Sequence, residues 1–259
     1  MLLLNNDFIG YEPLEHNVLF SGSDTEELYN QNLKSKSIDW YYRTNQISYV
    51  RNKNGHRCKN IEDIDLDNYI LFTGCSHAEG IGLKLEDTYA YLLSQKMNCD
   101  YYNLGLGGTG IDVLNYNLVT WFAKIKKPPK LLVVQWPNHV RVTLENYPKV
   151  NIDPIPYVQH GIWSTDKKLG EFLVLGDRIN FFSTVRSLTK KIIHNIANCP
   201  IIEVNISYDN YAEVDLKLIQ IDYSREYNSR QTHGHMGVES QKINTELIYQ
   251  KIKKETDNE

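Results

Sequence analysis

Residues 69–80 read YILFTGCSHAEG, and this segment predicts the architecture of the chain. The run from Tyr69 is continuously apolar rather than alternating, and Gly74 ends it. Such a run is typical of a strand that is buried on both faces of a parallel sheet. Ser76 follows between small residues, so the sequence predicts a strand-to-helix turn that presents a hydroxyl group.

Strands and helices alternate along the rest of the chain. LLVVQW at 131–136 is a second buried run, which Pro137 ends. The other predicted strands lie at 101–104, 200–206 and 214–221, and the predicted helices lie at 87–97, 111–125, 177–198 and 237–254. This alternation indicates βαβ units with right-handed crossovers. The sequence therefore predicts an α/β fold, a three-layer α/β/α sandwich with a mainly parallel, flavodoxin-like sheet.

Two stretches depart from this pattern. Residues 1–68 are rich in Asn, Asp, Ser and Tyr and have weak periodicity, with a short helix predicted at 26–32 and a short strand at 46–50. We expect them to form an N-terminal extension that packs on a main domain spanning 69–259. Residues 139–176 contain scattered prolines, glycines and aromatic residues, which predict an irregular insertion in that domain.

The composition excludes several classes of protein. The chain has 259 residues and a formal net charge of −4, so it can bury a large core and lacks the basic surface of a nucleic-acid-binding protein. Its apolar runs are shorter than the roughly 18 residues of a membrane span, so we expect no membrane partner. The start, MLLLNNDFIG, lacks the basic head of a secretory signal, and the four cysteines lack CxxC spacing. These features predict a cytoplasmic protein with free thiols.

Polar and glycine residues follow three of the predicted strands, at the sheet edge where ligands bind in parallel sheets. Ser76 follows the first strand, the glycines of NLGLGGTG at 103–110 follow the second, and Asn138 follows the third. Glycines let main-chain N–H groups approach a ligand, and an Asn amide can donate to an oxyanion. A fourth segment, QTHGHMG at 231–237, precedes the last predicted helix and supplies histidines.

Together these segments resemble the sequence blocks of the SGNH/GDSL hydrolase family. The matching residues, in the order of the family's blocks, are Gly74-Cys75-Ser76, Asn103–Gly108, Pro137-Asn138 and His235-Met236-Gly237. The resemblance implies that Ser76 is the nucleophile and His235 the general base. It implies that Gly108 and Asn138 line an oxyanion hole. The expected activity is that of a serine esterase on small acyl esters, including O-acetylated carbohydrates, without a metal or other cofactor.

The match departs from the family pattern at two positions. Cys75 stands where the family has Asp, a position outside the triad. The triad acid usually lies three residues before the catalytic histidine, where this chain has Thr232. Asp222 and Glu226 lie upstream and are the candidates for that acid. A Ser–His dyad oriented by a backbone carbonyl is the alternative.

Other interpretations of the same residues remain open. His233 and His235 form an H-x-H pair that could bind zinc together with Cys75 and His77. Cys75 could replace Ser76 as the nucleophile, although its place at the strand end predicts a side chain that points away from the site. The fold could also serve as a non-catalytic glycan-binding or structural module, or transfer an acyl group instead of hydrolysing it.

Overall fold

The computed structural model describes residues 2–137, 141–145, 156–160, 178–206, 219–221, 229–230 and 235–256. The strands in these ranges, β1 to β11 in chain order, are Leu2–Asn5, Phe8–Tyr11, Leu14–Val18, Tyr49–Arg51, Tyr69–Thr73, Asp100–Asn103, Leu131–Trp136, Val142–Glu145, Pro156–His160, Ile201–Ile206 and Ile219–Ile221. The α-helices, α1 to α6, are Glu26–Ser35, Ser76–Glu79, Tyr89–Lys96, Ile111–Lys124, Arg178–Ile196 and Val238–Thr256.

Five parallel strands form the main sheet, in the order β11-β10-β7-β5-β6. Helix α3 packs against α6, and α4 packs against α5, so the helices flank the sheet in two groups. Strands β5 and β7 are buried along their whole length, as their apolar runs predict. The predicted α/β fold, with a parallel sheet between helices, is confirmed.

The two central strands position the turns that follow them. Ile70, Leu132 and Val133 are fully buried in the core between the helices. Burial of such side chains contributes about 1.5–3 kcal/mol of transfer free energy each, which stabilises the pairing of β5 with β7. Because these strands are parallel, their carboxyl ends lie at the same edge of the sheet. The turn after Thr73 and the residues after Trp136 therefore start from that edge.

Helices begin at capping side chains rather than at the first apolar residue. The hydroxyl of Thr88 accepts the N–H of Tyr91 at 3.3 Å, so α3 begins at Tyr89, two residues later than predicted. Thr25 caps α1 in the same way. That helix ends at Ser35, three residues beyond its predicted end. These shifts change element boundaries and leave the topology as predicted.

A second sheet joins the N-terminal segment to the stretch predicted as irregular. Its strand order is β2-β1-β9-β8, and all neighbours are antiparallel. The prediction of irregular structure over 139–176 is therefore wrong for 142–145 and 156–160, which are strands. Runs of four or five residues are too short for periodicity to reveal among prolines and glycines. Most of the remaining insertion lies outside the described residues, and the division of the chain into domains stays a prediction.

The backbone of the N-terminal hairpin, β1 and β2, docks on helix α4 and on the loop after β4. The side chain of Asn117, buried in α4, accepts the N–H of Ile9 at 2.9 Å and donates to the Ile9 carbonyl at 2.8 Å. The N–H of Tyr11 donates to the Gly55 carbonyl at 3.2 Å. A Cβ atom at Gly55 would lie 1.9 Å from the Tyr11 carbonyl oxygen, so the two backbones meet without space for a side chain.

The cysteines are free, as their spacing predicts. Cys58 and Cys75 are buried, whereas Cys99 and Cys199 are half-buried. In the part of the chain that the structure describes, no helix is both long and apolar enough to cross a membrane. The same residues contain no group of three or more His, Cys, Asp or Glu side chains arranged to bind a metal ion.

The close backbone approach at Gly55 predicts a large effect of one added methyl group. Gly55 has a φ of 77°, and an alanine in the left-handed region costs about 1–2 kcal/mol before any collision is counted. Gly22→Ala is the matched control, because Gly22 has a φ of 60° but its new Cβ would lie 3.7 Å from the nearest atom, Ile81 Cδ1. We expect Gly55→Ala to lower the free energy of unfolding in urea clearly more than Gly22→Ala. Equal losses would contradict tight docking of the hairpin.

Candidate active site

Ser76 begins the short helix α2 directly after the buried strand β5. Gly74 makes this turn possible, because a Cβ atom there would lie 2.7 Å from Gln135 Oε1 and 2.9 Å from Ala78 Cβ. Helix α2 ends at Glu79, and the φ of 77° at the next residue, Gly80, lets the chain turn away. Ser76 is 6% exposed, so it lies at the margin of the core. The predicted strand-to-helix turn is confirmed.

Cys75, the residue before Ser76, belongs to the core. Its Sγ accepts a hydrogen bond from Gln135 Nε2 at 3.4 Å, and the side chain is fully buried. This contact holds the thiol against the Gln135 side chain. Cys75 is fully buried, whereas Ser76 keeps 6% exposure, and the choice between them as nucleophile stays a prediction.

Asn103 connects the glycine-rich loop after β6 to helix α2. Its Nδ2 donates to the Ala78 carbonyl at 2.7 Å, and its Oδ1 accepts the N–H of Gly105 at 2.9 Å. A Cβ atom at Gly105 would lie 2.7 Å from Ala78 Cβ, so loop and helix pack with no room for a side chain. The second sequence block is thereby fixed beside the turn that carries Ser76.

Gly107 and Gly108 bring the glycine loop to the nucleophile turn. A Cβ atom built on Gly107 would lie 3.5 Å from Ser76 Cβ. Gly108 has a φ of 76°, a left-handed conformation that favours glycine. It is half-buried, whereas the residues on either side of it are buried. Gly108, the predicted oxyanion glycine, therefore directly follows Gly107, which lies against the turn that carries Ser76.

Glu79 brings a buried carboxyl group to this loop. Its Oε2 accepts the N–H of Gly107 at 2.6 Å, and its Oε1 lies 4.0 Å from Arg51 Nη2. Burial raises the pKa of Glu79, and the Arg51 charge and the Gly107 N–H offset part of that rise. Because Glu79 occupies the Gly107 N–H, the N–H of Gly108 is the better candidate for an oxyanion donor.

His235 contacts the residue next to the nucleophile. Its ring packs against the ring of His77, with centroids 5.0 Å apart and planes inclined by 33°. His77 is buried, and burial is the main cause that lowers the pKa of His77 well below its usual value, with smaller electrostatic contributions from His235 and Arg141. This contact brings the predicted base to the predicted nucleophile's turn.

The start of α6 anchors the segment that carries His235. Met236 is buried, and its Sδ accepts a hydrogen bond from Asn244 Nδ2 at 3.1 Å. Gln241 Oε1 accepts the N–H of Tyr89 at 2.8 Å, which ties α6 to the start of α3. Met236 of the fourth sequence block is therefore held by α6, and α6 is tied to α3.

Arg230 ties the chain ahead of His235 to the N-terminal segment. Arg230 and Asp24 are 0% and 1% exposed and form an ion pair, with Nη2 and Oδ2 2.5 Å apart. Tyr49 donates to Asp24 Oδ2 at 2.5 Å, and Asn32 Nδ2 donates to the Arg230 carbonyl at 2.9 Å. This pair does not follow from the sequence, because its two residues are 206 positions apart and neither lies in a motif. The only sequence signal is the arginine close to the histidine block.

The predicted site residues divide into two sets. Those in the described structure gather around helix α2: Ser76, Gly108 and His235. The others lie outside the described residues: Asn138, Asp222 and Glu226, together with His233 of the alternative zinc cluster. The hydrogen bond between the Ser76 hydroxyl and the His235 ring stays a prediction, as does the identity of the acid.

Comparison with known proteins gives structural likeness only. No family model and no curated protein matches the chain. A carbohydrate esterase described as having divergent catalytic and non-catalytic binding functions is 12% identical, with a TM-score of 0.46 over 72% of this chain and 68% of that chain. An enzyme of carbohydrate esterase family 2 with a carbohydrate-binding domain, from Myceliophthora fergusii, is 14% identical, with a TM-score of 0.42 over 79% and 71%.

A family two carbohydrate esterase from Clostridium thermocellum, in complex with cellohexaose, is 13% identical, with a TM-score of 0.38 over 74% of this chain and 65% of that chain. Carbohydrate esterase family 2 is an SGNH/GDSL hydrolase family, so these structures come from the family that the sequence blocks resemble. At such identities, and with TM-scores below 0.5, the likeness decides neither the family nor the activity of this chain.

The buried ion pair predicts strong energetic coupling between Asp24 and Arg230. Arg230→Met leaves Asp24 buried without its cation, which should lower the free energy of unfolding by about 3–5 kcal/mol. Adding Asp24→Leu should recover part of this loss, because the unpaired charge is then gone. Urea titration of the single and double variants measures the coupling.

The exposed pair Lys242–Glu239 is the control, and Lys242→Met should have little effect on the free energy of unfolding. Additive losses at Asp24 and Arg230 would contradict the coupling.

The raised pKa of Glu79 predicts a pH-dependent effect of Glu79→Gln. The folded state holds the carboxyl proton more tightly than the unfolded state, so wild-type stability falls as pH rises from about 4.5 through the raised pKa. The amide does not titrate. The stability of Glu79→Gln relative to wild type should therefore increase over that pH range and then level off, as measured by urea midpoints at a series of pH values.

Glu203 provides a control of opposite sign. Burial raises its pKa, but hydrogen bonds from Lys190, His194 and Trp136 outweigh burial and lower the pKa overall. Its contribution to stability is present above the unfolded pKa and is lost as pH falls through the folded pKa. The stability of Glu203→Gln relative to wild type should therefore decrease as pH rises. The same trend in both variants would contradict the assignment for Glu79.

Proposed function

We propose that this protein is a serine ester hydrolase, with Ser76 as the nucleophile and His235 as the general base. The contact between the His235 and His77 rings carries the proposal, because it brings the segment before the last helix to the turn that begins with Ser76. The glycine loop supports it, since Asn103 and Glu79 hold that loop against the same turn.

The proposed reaction proceeds through an acyl-enzyme. The neutral imidazole of His235 takes the proton of the Ser76 hydroxyl while the oxygen attacks the ester carbonyl. The Gly108 N–H and the Asn138 amide stabilise the oxyanion, and one such donor contributes about 10²–10³ in rate. The alcohol leaves with the proton from His235. Water activated by His235 then cleaves the acyl group from Ser76.

The acid that orients His235 is proposed to be Asp222 or Glu226, with the unassisted dyad as the alternative. Two carboxylates of the described residues are already engaged in other contacts. Asp24 is paired with Arg230 and Tyr49, and Glu79 accepts the N–H of Gly107. Loss of a triad acid lowers the rate of serine proteases by about 10⁴ without abolishing catalysis. A displaced acid therefore remains compatible with ester hydrolysis.

The acyl group is proposed to be short, such as acetyl. Ser76 is 6% exposed, and a Cβ atom at the neighbouring Gly107 would already lie 3.0 Å from Glu79 Oε2 and from the Tyr11 hydroxyl. Close packing on the Gly107 side of Ser76 supports a small acyl group. The alcohol part is proposed to be a carbohydrate, which is the substrate class that the sequence resemblance implies.

Removal of the Ser76 hydroxyl should abolish ester cleavage. We expect wild-type protein to hydrolyse p-nitrophenyl acetate and Ser76→Ala to be slower by at least about 10³-fold. A fluorophosphonate probe should label wild type at Ser76, as identified by mass spectrometry of peptides. The matched control is Ser94→Ala, which removes a buried serine hydroxyl from α3 and should keep activity and labelling.

The other interpretations give different outcomes. Retained turnover in Ser76→Ala together with loss in Cys75→Ala would assign the nucleophile to the thiol. Loss of activity with a chelator and recovery with zinc would point to the metal cluster. Absence of both turnover and adduct in the wild type would favour a non-catalytic module. Faster acyl transfer to an added sugar than to water would identify an acyltransferase.

A further inference from the structure

The peptide between Gly107 and Gly108 lies at the centre of a tight turn. The N–H of Thr109 points to the Leu106 carbonyl at 3.5 Å, and the Thr109 hydroxyl donates to the same oxygen at 2.7 Å. The φ of 76° at Gly108, the third residue of the turn, is the value that a type II turn requires. Type I and type II turns differ by a flip of this central peptide, and glycine on both sides leaves either orientation accessible.

A freely flipping peptide is unsuited to an oxyanion hole, because the donor must be oriented before the reaction. The structure supplies a restraint from the N-terminal hairpin. The hydroxyl of Tyr11 donates to the Gly107 carbonyl at 2.8 Å. In a planar trans peptide the carbonyl and the next N–H point in opposite directions. A bond that fixes the Gly107 carbonyl therefore fixes the direction of the Gly108 N–H.

Tyr11 is itself held in place from two sides. Its backbone carbonyl accepts a hydrogen bond from Asn5 Nδ2 at 2.8 Å within the hairpin. The Arg51 guanidinium lies over its ring, 4.3 Å from the centroid, and the same guanidinium lies 4.0 Å from Glu79 Oε1. Since Glu79 accepts the Gly107 N–H, four side-chain and backbone contacts close a ring through Tyr11, Arg51, Glu79 and Gly107.

We propose that Tyr11 is a positioning residue, which orients the Gly108 N–H for the developing oxyanion and makes the N-terminal hairpin part of the active site. The inference rests on the proposed esterase function. The hydroxyl of Tyr11 does not touch the reacting atoms in this scheme. Its effect passes through the Gly107–Gly108 peptide and concerns the transition state rather than substrate binding.

The first experiment observes the peptide directly and needs no activity. The chain has a single Gly-Gly dipeptide, at 107–108, so glycine labelled with ¹³C at the carbonyl and ¹⁵N at the amide gives one HNCO cross-peak. That peak joins the Gly107 carbonyl to the Gly108 N–H. In Tyr11→Phe, loss of the hydrogen bond should shift the Gly107 ¹³C resonance upfield and displace the Gly108 amide. An unchanged cross-peak would overturn the proposal.

The second experiment separates positioning from stability. Tyr69→Phe is the matched control, because the Tyr69 hydroxyl also donates to a backbone carbonyl, that of Lys127, at 2.8 Å, but at the amino end of β5. We expect Tyr11→Phe to lower kcat for p-nitrophenyl acetate by about 5- to 50-fold, a part of the loss for a missing oxyanion donor. KM should stay within about twofold of the wild-type value, as for an interaction made only in the transition state. Tyr69→Phe should keep kcat.

The two hypotheses fail in different ways. If Ser76→Ala is inactive and unlabelled while Tyr11→Phe keeps the wild-type kcat and the wild-type rate of fluorophosphonate labelling, the positioning role is overturned and the esterase function stands. If the wild type shows neither turnover nor labelling, the esterase function is overturned, and the positioning role falls with it. A lower kcat in Tyr11→Phe and Tyr69→Phe alike would reduce Tyr11 to a structural residue.

Discussion

Buried charges at the junction between the N-terminal segment and the parallel sheet constrain the rest of the structure. Asp24 neutralises Arg230 there, and Arg51 lies 4.0 Å from the Glu79 carboxyl group. A buried charge that loses its partner costs several kcal/mol, so the N-terminal segment cannot separate without destabilising both α2 and the chain before His235. The N-terminal segment, which the sequence predicts to be an extension, therefore holds α2 and the chain before His235 in place, and the proposed chemistry depends on both.

Arg57 extends the same dependence to the turn after α2. Its guanidinium stacks on the Tyr49 ring at 4.3 Å and donates to the carbonyls of Gly80 at 2.6 Å and Leu83 at 2.7 Å. Carbonyl groups at the end of a helix lack intrahelical partners, and a four-residue helix cannot satisfy them from within. Arg57 Nη1 also lies 3.4 Å from the Glu79 carbonyl, the last of α2, so an arginine from the N-terminal segment supplies donors at the end of this helix and in the turn after it.

The main sheet and the nucleophile turn could be predicted from the sequence because each is encoded locally. The apolar runs of β5 and β7 and the small residues around Ser76 lie within single segments. The Asp24–Arg230 pair could not be predicted, because it depends on how two segments distant in the sequence pack together. Local sequence patterns carry no information on such long-range packing. Glu79 is an intermediate case, because an acidic residue inside TGCSHAEG stands out from its small and apolar neighbours and can signal a buried carboxyl group.

The proposed site combines segments whose own conformational preferences are weak. A Gly-Gly turn admits the close contacts that the loop needs, but glycine also leaves its backbone the greatest freedom. Preorganised donors are effective because they do not reorganise during the reaction, so this freedom must be removed by neighbours. Tyr11 and Glu79 bind the two sides of Gly107, and Asn103 fixes Gly105 to α2. Side chains from β2, α2 and β6 therefore restrict the backbone freedom of the glycine loop. Because β2 belongs to the hairpin and β6 to the main sheet, both contribute to the proposed site.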